Sequence, residues 1–158
     1  MNKQEQLQLR TDFWNYFISE SKKVNSGFAK AKVHFKKKEA SYAIKANFNI
    51  SIELTPHNTR CELYIRKHDD LEYNQQAYIY LKELEQEIEQ NFKRTLEWII
   101  ADDCSNASIR YSMDLMNIYE KDKWGEITST LLELTQHLDD ATRAHVLAFE
   151  MPDLGDDE

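Results

Sequence analysis

Magnesium-dependent hydrolysis is the first chemistry to test against this sequence. Nucleases of the restriction type need carboxylates that converge on a divalent cation, with a lysine beside them, usually as Asp followed later by a Glu-x-Lys triplet. The chain has one such triplet, Glu20-Ser21-Lys22. It lies at the end of a predicted helix and not on a strand, so we expect a solvated helix end there and no nuclease site.

The histidines and cysteines offer no better candidate for catalysis or metal binding. Glu133 and His137 are four residues apart and His145 lies two turns further on, but zinc requires three or four protein ligands together. We expect a surface Glu–His pair instead. Cys61 falls on the inward side of a predicted strand, and Cys104 falls in a loop with no Lys or Arg beside it. We therefore expect no catalytic residue, no metal, no cofactor and no enzymatic activity.

The strongest chemical signal is a run of lysines in the first third of the chain. Between Lys22 and Lys45 there are eight Lys against one acid, Glu39. On the expected strands, Lys30, Lys32, His34 and Lys36 project from one face, which Lys45 of the next strand could join. Such a face could follow a phosphate backbone while a tyrosine on the same side stacks on a base. The candidate binding residues are Lys30, Lys32, Lys36, Lys45, Arg60, Tyr64 and Arg66. An acidic protein partner, self-association and a plain solvated sheet face remain open alternatives.

The second half of the chain has the opposite charge. Residues 1–68 hold 13 Lys or Arg and 6 Asp or Glu, whereas residues 69–158 hold 7 and 22, and the whole chain has a formal net charge of −8. We expect the basic and acidic residues to be segregated in space as well. Carboxylates on helices can imitate the charge spacing of DNA, and the candidates are Glu72, Glu83, Glu85, Glu87 and Glu89. The alternative is an ordinary solvated helix face.

The elements that position these residues follow from the spacing of apolar residues. The 158 residues suit one domain, and only three Gly argue against Gly-rich phosphate loops. A 3.6-residue period around Phe13 predicts an N-terminal helix ended by Asn25-Ser26-Gly27, with Gly27 in the left-handed conformation. Alternating apolar residues predict strands at 29–36, at 42–54 with a bend or bulge, and at 60–66 after a turn at 55–59.

Helical patterns return after the predicted strands. A stripe from Ala77 to Ile99 predicts one helix of about six turns, residues 108–112 could form a short fourth strand, and Trp124 begins a last helix through Val146. The expected fold is α+β, with a three- or four-stranded antiparallel sheet packed against two long helices and the N-terminal helix alongside. Residues 1–150 would form the domain and residues 151–158 an acidic disordered tail.

The N-terminus begins with polar residues, and no apolar run approaches the length of a membrane span. We therefore expect a cytoplasmic protein with no membrane partner.

The order of elements and several short motifs resemble a prokaryotic family of unknown function. The motifs are Phe13-Trp14, Cys61-Glu62-Leu63-Tyr64-Ile65, the block from Asn74 to Trp98, Ile109-Arg110 and Trp124, and the similarity covers roughly residues 10–148. Members of that family occur alone or fused behind restriction-endonuclease-like nuclease domains. The resemblance implies an accessory domain associated with restriction or defence and implies no reaction.

Two functions are therefore expected, in order of preference. The first is a non-enzymatic accessory or binding module of a prokaryotic antiviral defence or restriction system, which contacts nucleic acid or a partner protein through the Lys-rich sheet face. The alternative is a small phage-type inhibitor, anti-restriction or anti-CRISPR, that binds a host nuclease or effector through its acidic helices. The basic and acidic faces could also pair two copies of the chain.

Overall fold

The computed structural model describes residues 1–34, 36–55, 58–114 and 118–152, and it has four helices and six strands. The α-helices are α1 (Lys3–Lys23), α2 (Leu71–Lys82), α3 (Glu85–Phe92) and α4 (Trp124–Ala148). The strands are β1 (Lys32–His34), β2 (Glu39–Lys45), β3 (Phe48–Leu54), β4 (Asn58–Ile65), β5 (Glu97–Ile100) and β6 (Ala107–Asp114). Two short 3-10 helices, Gly27–Lys30 and Lys121–Lys123, precede β1 and α4. The predicted tail beyond residue 152 and parts of the turn at 55–59 lie outside the described residues.

The six strands form one antiparallel sheet in the order β1-β2-β3-β4-β6-β5. The α+β class is confirmed, but the expected count of three or four strands was wrong. The predicted strand 42–54 is a hairpin of β2 and β3, in which Asn47 takes the left-handed conformation with φ 75°. Apolar residues keep their alternation through the turn, so the sequence reads as one long strand. The two edge strands are the shortest, with three residues in β1 and four in β5.

The long helix expected across Ala77–Ile99 is also divided. It ends at Lys82, resumes as α3 and stops at Phe92, where Lys93 adopts a left-handed φ of 69°. After Leu96, the next apolar residues belong to β5, whose Trp-Ile-Ile sequence favours a strand. The helical spacing of apolar residues continues through this region of the sequence because the apolar residues of α2 and α3, and Leu96 after them, are all buried in the same core.

At the end of α1, Asn25 and not Gly27 takes the left-handed conformation, with φ 55°. Gly27 is required for another reason, since a Cβ atom there would lie 2.5 Å from the ring of Tyr42. The close approach of Gly27 to Tyr42 allows the first 3-10 helix to pack against β2.

One face of the sheet is covered by helices. Its inward residues, such as Ile50, Ile52 and Leu63, have no exposed surface. They pack in one hydrophobic cluster with the buried stripe of α4 and with an aromatic group from α1 and the first 3-10 helix. That group is Phe13, Trp14, Phe17 and Phe28. Among the described residues, no helix is long and apolar enough to cross a membrane.

Candidate functional site

The second face of the sheet is not covered by helices and is polar. We call it the open face; Ile99 of β5 lines it, and its polar part consists of outward side chains of the other five strands. They are Lys32, His34, Glu39, Ser41, Asn49, Ser51, Glu53, Arg60, Glu62, Tyr64, Arg66, Ser108 and Arg110. The face is concave and most of these residues line a volume of about 1030 Å³. Antiparallel sheets commonly leave one face to solvent, so the arrangement of the side chains decides what this face can do.

The structure brings together four of the seven predicted binding residues. Lys32, Arg60, Tyr64 and Arg66 lie on the open face, and Lys30 lies at its rim on the first 3-10 helix. The alternation of β4 was sufficient to predict the positions of Arg60, Tyr64 and Arg66.

Lys36 and Lys45 lie elsewhere, which corrects the expected single Lys-rich face. Strand β1 ends at His34, so Lys36 belongs to the following turn and lines a different groove. The register of β2 shifts between Ala43 and Lys45. As a result, the Nζ of Lys45 donates to the Phe149 carbonyl at 2.8 Å on the helical side of the sheet.

Acidic residues share the open face with the cations, so the expected spatial segregation of charge does not hold there. Glu39 of β2 lies directly opposite Glu53 of β3. Glu53 in turn lies opposite Arg60, whose Nη2 donates to Oε2 of Glu53 at 2.6 Å. Glu62 lies two residues after Arg60 on β4. The two-residue period that predicts strands at 42–54 and 60–66 also places Glu53 and Glu62 outward, but the predicted site did not include them.

Burial reduces the negative charge of this acidic group. It raises the pKa of Glu39 to about 7, with further increases from the Glu62 and Glu53 carboxylates and a smaller opposing effect of a hydrogen bond with Ser51. Burial also raises the pKa of Glu62, which is 8% exposed and accepts a hydrogen bond from the Ser108 hydroxyl at 2.5 Å. Near neutral pH, Glu39 is therefore protonated in a large fraction of molecules.

Two arginines each have a buried hydrogen-bond donor without an acceptor in the described parts of the chain. These donors are the Nε atoms of Arg60 and Arg110. Arg110 lies directly opposite Glu62 in the register of β4 and β6 and lines the concavity. Buried donors of this kind usually have a partner, so an anionic or carbonyl oxygen entering the concavity would complete the site. Sequence reasoning missed Arg110, which lay in the predicted fourth strand.

The rim is held by an ion pair within α4 and by a hydrogen bond from the sheet to that pair. The Tyr42 hydroxyl donates to Asp139 at 2.6 Å, and Arg143 donates to the same carboxylate at 2.6 and 2.8 Å. The Arg143 guanidinium and the Tyr42 hydroxyl hold the pKa of Asp139 below its usual range although burial opposes them. The arrangement fixes Arg143 at the edge of the concavity.

The predicted acidic row is partly used within the molecule. Glu85 pairs with Lys82 at 2.6 Å, and Glu87 lies 3.6 Å from His145. Glu89 accepts hydrogen bonds from the Leu96 amide and the Trp98 indole. Glu72 and Glu83 are both exposed. The row is therefore not a free line of carboxylates.

The residues weighed as catalytic candidates, the Glu20–Lys22 triplet and Cys61, make contacts that stabilise the fold. Glu20 pairs with Lys23 at 2.9 Å, and the buried Ser21 hydroxyl donates to the Phe17 carbonyl. Burial raises the pKa of the Cys61 thiol to about 12, which makes it a poor nucleophile. Within the described ranges, no group of three or more His, Cys, Asp or Glu side chains is arranged so that it could hold a metal ion.

Comparison with known proteins gives a family and no function. A family model described as a domain of unknown function, DUF4268, matches residues 9–146. Neither the curated proteins nor the solved structures contain a match. Because the match covers most of the 158 residues, the chain belongs to the DUF4268 family of domains of unknown function.

Proposed function

We propose that this chain is a non-enzymatic accessory module of a restriction or antiviral-defence system and that its open face binds a nucleic-acid strand. The observation that carries the proposal is the sign of the charge in the concavity. Five Lys or Arg side chains line it against three Glu, in a chain whose formal net charge is −8. The restriction setting rests on the resemblance to family members fused to nuclease domains.

The chemistry of the open face suits an extended strand. Lys32, Arg66 and Arg110 would contact phosphates, and the buried Nε of Arg110 would gain an acceptor. The half-buried Tyr64 lies opposite both Asn49 and Ser108 in the middle of the sheet, where its ring could stack on a base. The neighbouring amide and hydroxyl groups offer hydrogen bonds without strong sequence preference.

Protonation of the acidic group supports the same ligand. A carboxylate beside a phosphate would oppose binding, but the raised pKa of Glu39 leaves part of the population neutral at that position. Glu53 is paired with Arg60. The net charge that a bound strand meets is therefore more positive than the residue count indicates.

The runner-up is an inhibitor that binds a nuclease or effector through α2 and α3. Its support is weaker, because Glu85 and Glu89 already have partners within the chain. A stable complex with a DNA-handling enzyme, formed while the chain binds no nucleic acid, would favour that function.

The experiment is fluorescence anisotropy of the full chain with a single-stranded oligonucleotide of about 12 nucleotides. With three phosphate contacts, raising salt from about 50 to about 200 mM should weaken binding roughly 20-fold. The test variant combines Lys32→Gln and Arg66→Gln on the open face. The matched control combines Lys22→Gln and Lys93→Gln, which remove the same charge from exposed residues of α1 and the end of α3.

We expect the open-face variant to bind at least several-fold more weakly than the control, with a shallower dependence on salt. Tyr64→Leu should weaken binding without changing the salt dependence, since stacking does not release counterions. Equal affinities of the two double variants, or no binding at low salt, would refute the proposed function.

A further inference from the structure

A second concave surface lies beside α1, and we call it the basic groove. It is formed by α1, β1 and residues 36–38 of the turn that precedes β2, and it has a volume of about 780 Å³. The cations that line it are Lys3, Arg10, Lys36, Lys37 and Lys38. No Asp or Glu is found among the described residues that line it. The basic groove is therefore more uniformly positive than the open face, and His34 of β1 borders both.

The turn that carries three of these lysines is fixed by hydrogen bonds to the rest of the fold. The Lys36 carbonyl accepts from Nε of Arg10 at 3.1 Å, and the Lys37 carbonyl accepts from the Trp14 indole at 2.7 Å. The Lys38 carbonyl accepts from the Leu54 amide at 2.7 Å. The backbone oxygens are thus turned toward α1 and β3, while all three lysines remain exposed.

Lysine is an unfavourable choice for this backbone. Lys36 and Lys37 have φ of 55° and 63°, a left-handed conformation that Gly or Asn adopts more readily. Two consecutive left-handed residues in a hairpin turn are usually an Asn-Gly pair. The local conformation therefore does not explain why these positions carry long cationic side chains.

The other cations of the groove break local rules as well. Lys3 lies in the first turn of α1, at the positive end of the helix dipole, where an acid would be more stable. Five cations also repel one another without an acidic neighbour in the lining. Departures from local preference that gather in one place are typical of functional sites.

We propose that the basic groove binds the phosphate backbone of duplex nucleic acid without reading its sequence. Lysine ammonium groups act as point charges toward phosphate, and a group of five cations is complementary to a polyanion. No Phe, Tyr or Trp is found among the described residues of the lining, unlike the open face with its Tyr64. On α1, the exposed Leu7 and the half-buried Arg10 also line the basic groove.

This inference goes beyond the proposed function, because it concerns a different surface and a different form of nucleic acid. A chain with both surfaces would hold a duplex in the basic groove while a single strand crosses the open face. Each surface can fail its test without affecting the result for the other.

The test variant is the double substitution Lys36→Asn and Lys37→Asn in the full chain. Asn suits the left-handed backbone, and the turn carbonyls remain available to Arg10 and Trp14, so thermal stability should stay unchanged or rise. The matched control is Lys22→Gln with Lys93→Asn, which also removes two charges and also changes a left-handed lysine, since Lys93 has φ 69°. The probe is a duplex DNA of about 20 base pairs, about two helical turns.

We expect the test variant to bind the duplex roughly tenfold more weakly than the control at low salt. The plot of log affinity against log salt should be shallower by about 2, the value for two lost phosphate contacts. Unchanged duplex affinity and salt dependence in the test variant would overturn the proposal while leaving the open face untouched. Binding of poly-glutamate in place of DNA, with the same loss on substitution, would overturn it in favour of an acidic protein partner.

Discussion

Replacing Glu39 by Gln should stabilise the protein, and the gain should depend on pH. The pKa of Glu39 is raised from 4.5 to about 7 in the folded state, because the carboxyl is partly buried on β2 and faces Glu53 and Glu62. His34 of β1 lies directly opposite Glu39, Ser51 of β3 offers it a hydrogen bond, and Arg60 of β4 pairs with Glu53. The folded protein therefore binds a proton at Glu39 more tightly than the unfolded chain does.

The sign of the effect follows from this difference in proton binding. Stability from the protonated carboxyl is fully present below the unfolded pKa and is lost as the pH rises through the folded pKa. In this protein the window extends from 4.5 to about 7. Gln resembles the protonated form at all pH values, so the variant should lack this loss.

The magnitude comes from the pKa difference. A shift from 4.5 to about 7 corresponds to an upper limit of roughly 3 kcal/mol. Glu39 is only half-buried and solvent screens part of the interaction, so we expect about 1–2 kcal/mol above neutral pH. For a domain of this size, the change would raise Tm by roughly 2–8 °C.

The measurement is urea and thermal unfolding of Glu39→Gln and the parent chain between about pH 5 and about pH 8. The control is Glu133→Gln, which removes an exposed carboxylate of α4. The difference between Glu39→Gln and the parent should be small at the acidic end and should grow as the pH rises. A difference that is constant across the range, or that shrinks at high pH, would refute the account of this acidic group.

Four further substitutions test the packing that positions the two surfaces. Gly27→Ala should destabilise the fold by about 1–3 kcal/mol in urea unfolding, because the new methyl group would lie 2.5 Å from the Tyr42 ring. Ser26→Ala should cost about 1 kcal/mol in the same assay, because the Ser26 hydroxyl accepts an N-cap hydrogen bond from the Phe28 amide. Asn74→Ala should cost about 2–4 kcal/mol in urea unfolding, since the fully buried amide bonds the Lys67 amide and the Lys67, Cys104 and Ser105 carbonyls. Tyr42→Phe should cost about 1 kcal/mol, because the hydrogen bond to Asp139 is lost while Arg143 stays paired with Asp139. A Tm equal to that of the parent chain in all of these variants would contradict the contacts described.

The sequence was sufficient to predict the inward and outward faces of β3 and β4. There the two-residue period of Ile50, Ile52, Cys61 and Leu63 coincides with their complete burial. The helices α1 and α4 were predicted for the same reason, since their apolar stripes face one core. Periodicity could not reveal where α3 gives way to β5, because Leu96 continues the helical spacing and is buried as well.

The candidate site was predicted only in part, because its geometry depends on register and turns. The alternation placed Tyr64 and Arg66 correctly on the outward side, but the shift in β2 that redirects Lys45 leaves no mark in the pattern of residue types. Lys36 and Lys37 were recognised as basic, whereas their left-handed backbone and their contacts with α1 depend on tertiary structure.

The shortness of the outermost strands limits how this molecule can associate. A strand of three residues at one edge and four at the other offers few unpaired backbone groups for a strand from another chain. Exposed Lys32 on the first of these edges discourages such addition further, since cations there repel a second copy of the same edge. Oligomers that form by extending the sheet are therefore disfavoured, and contacts between copies or with other proteins should use side chains of the broad surfaces.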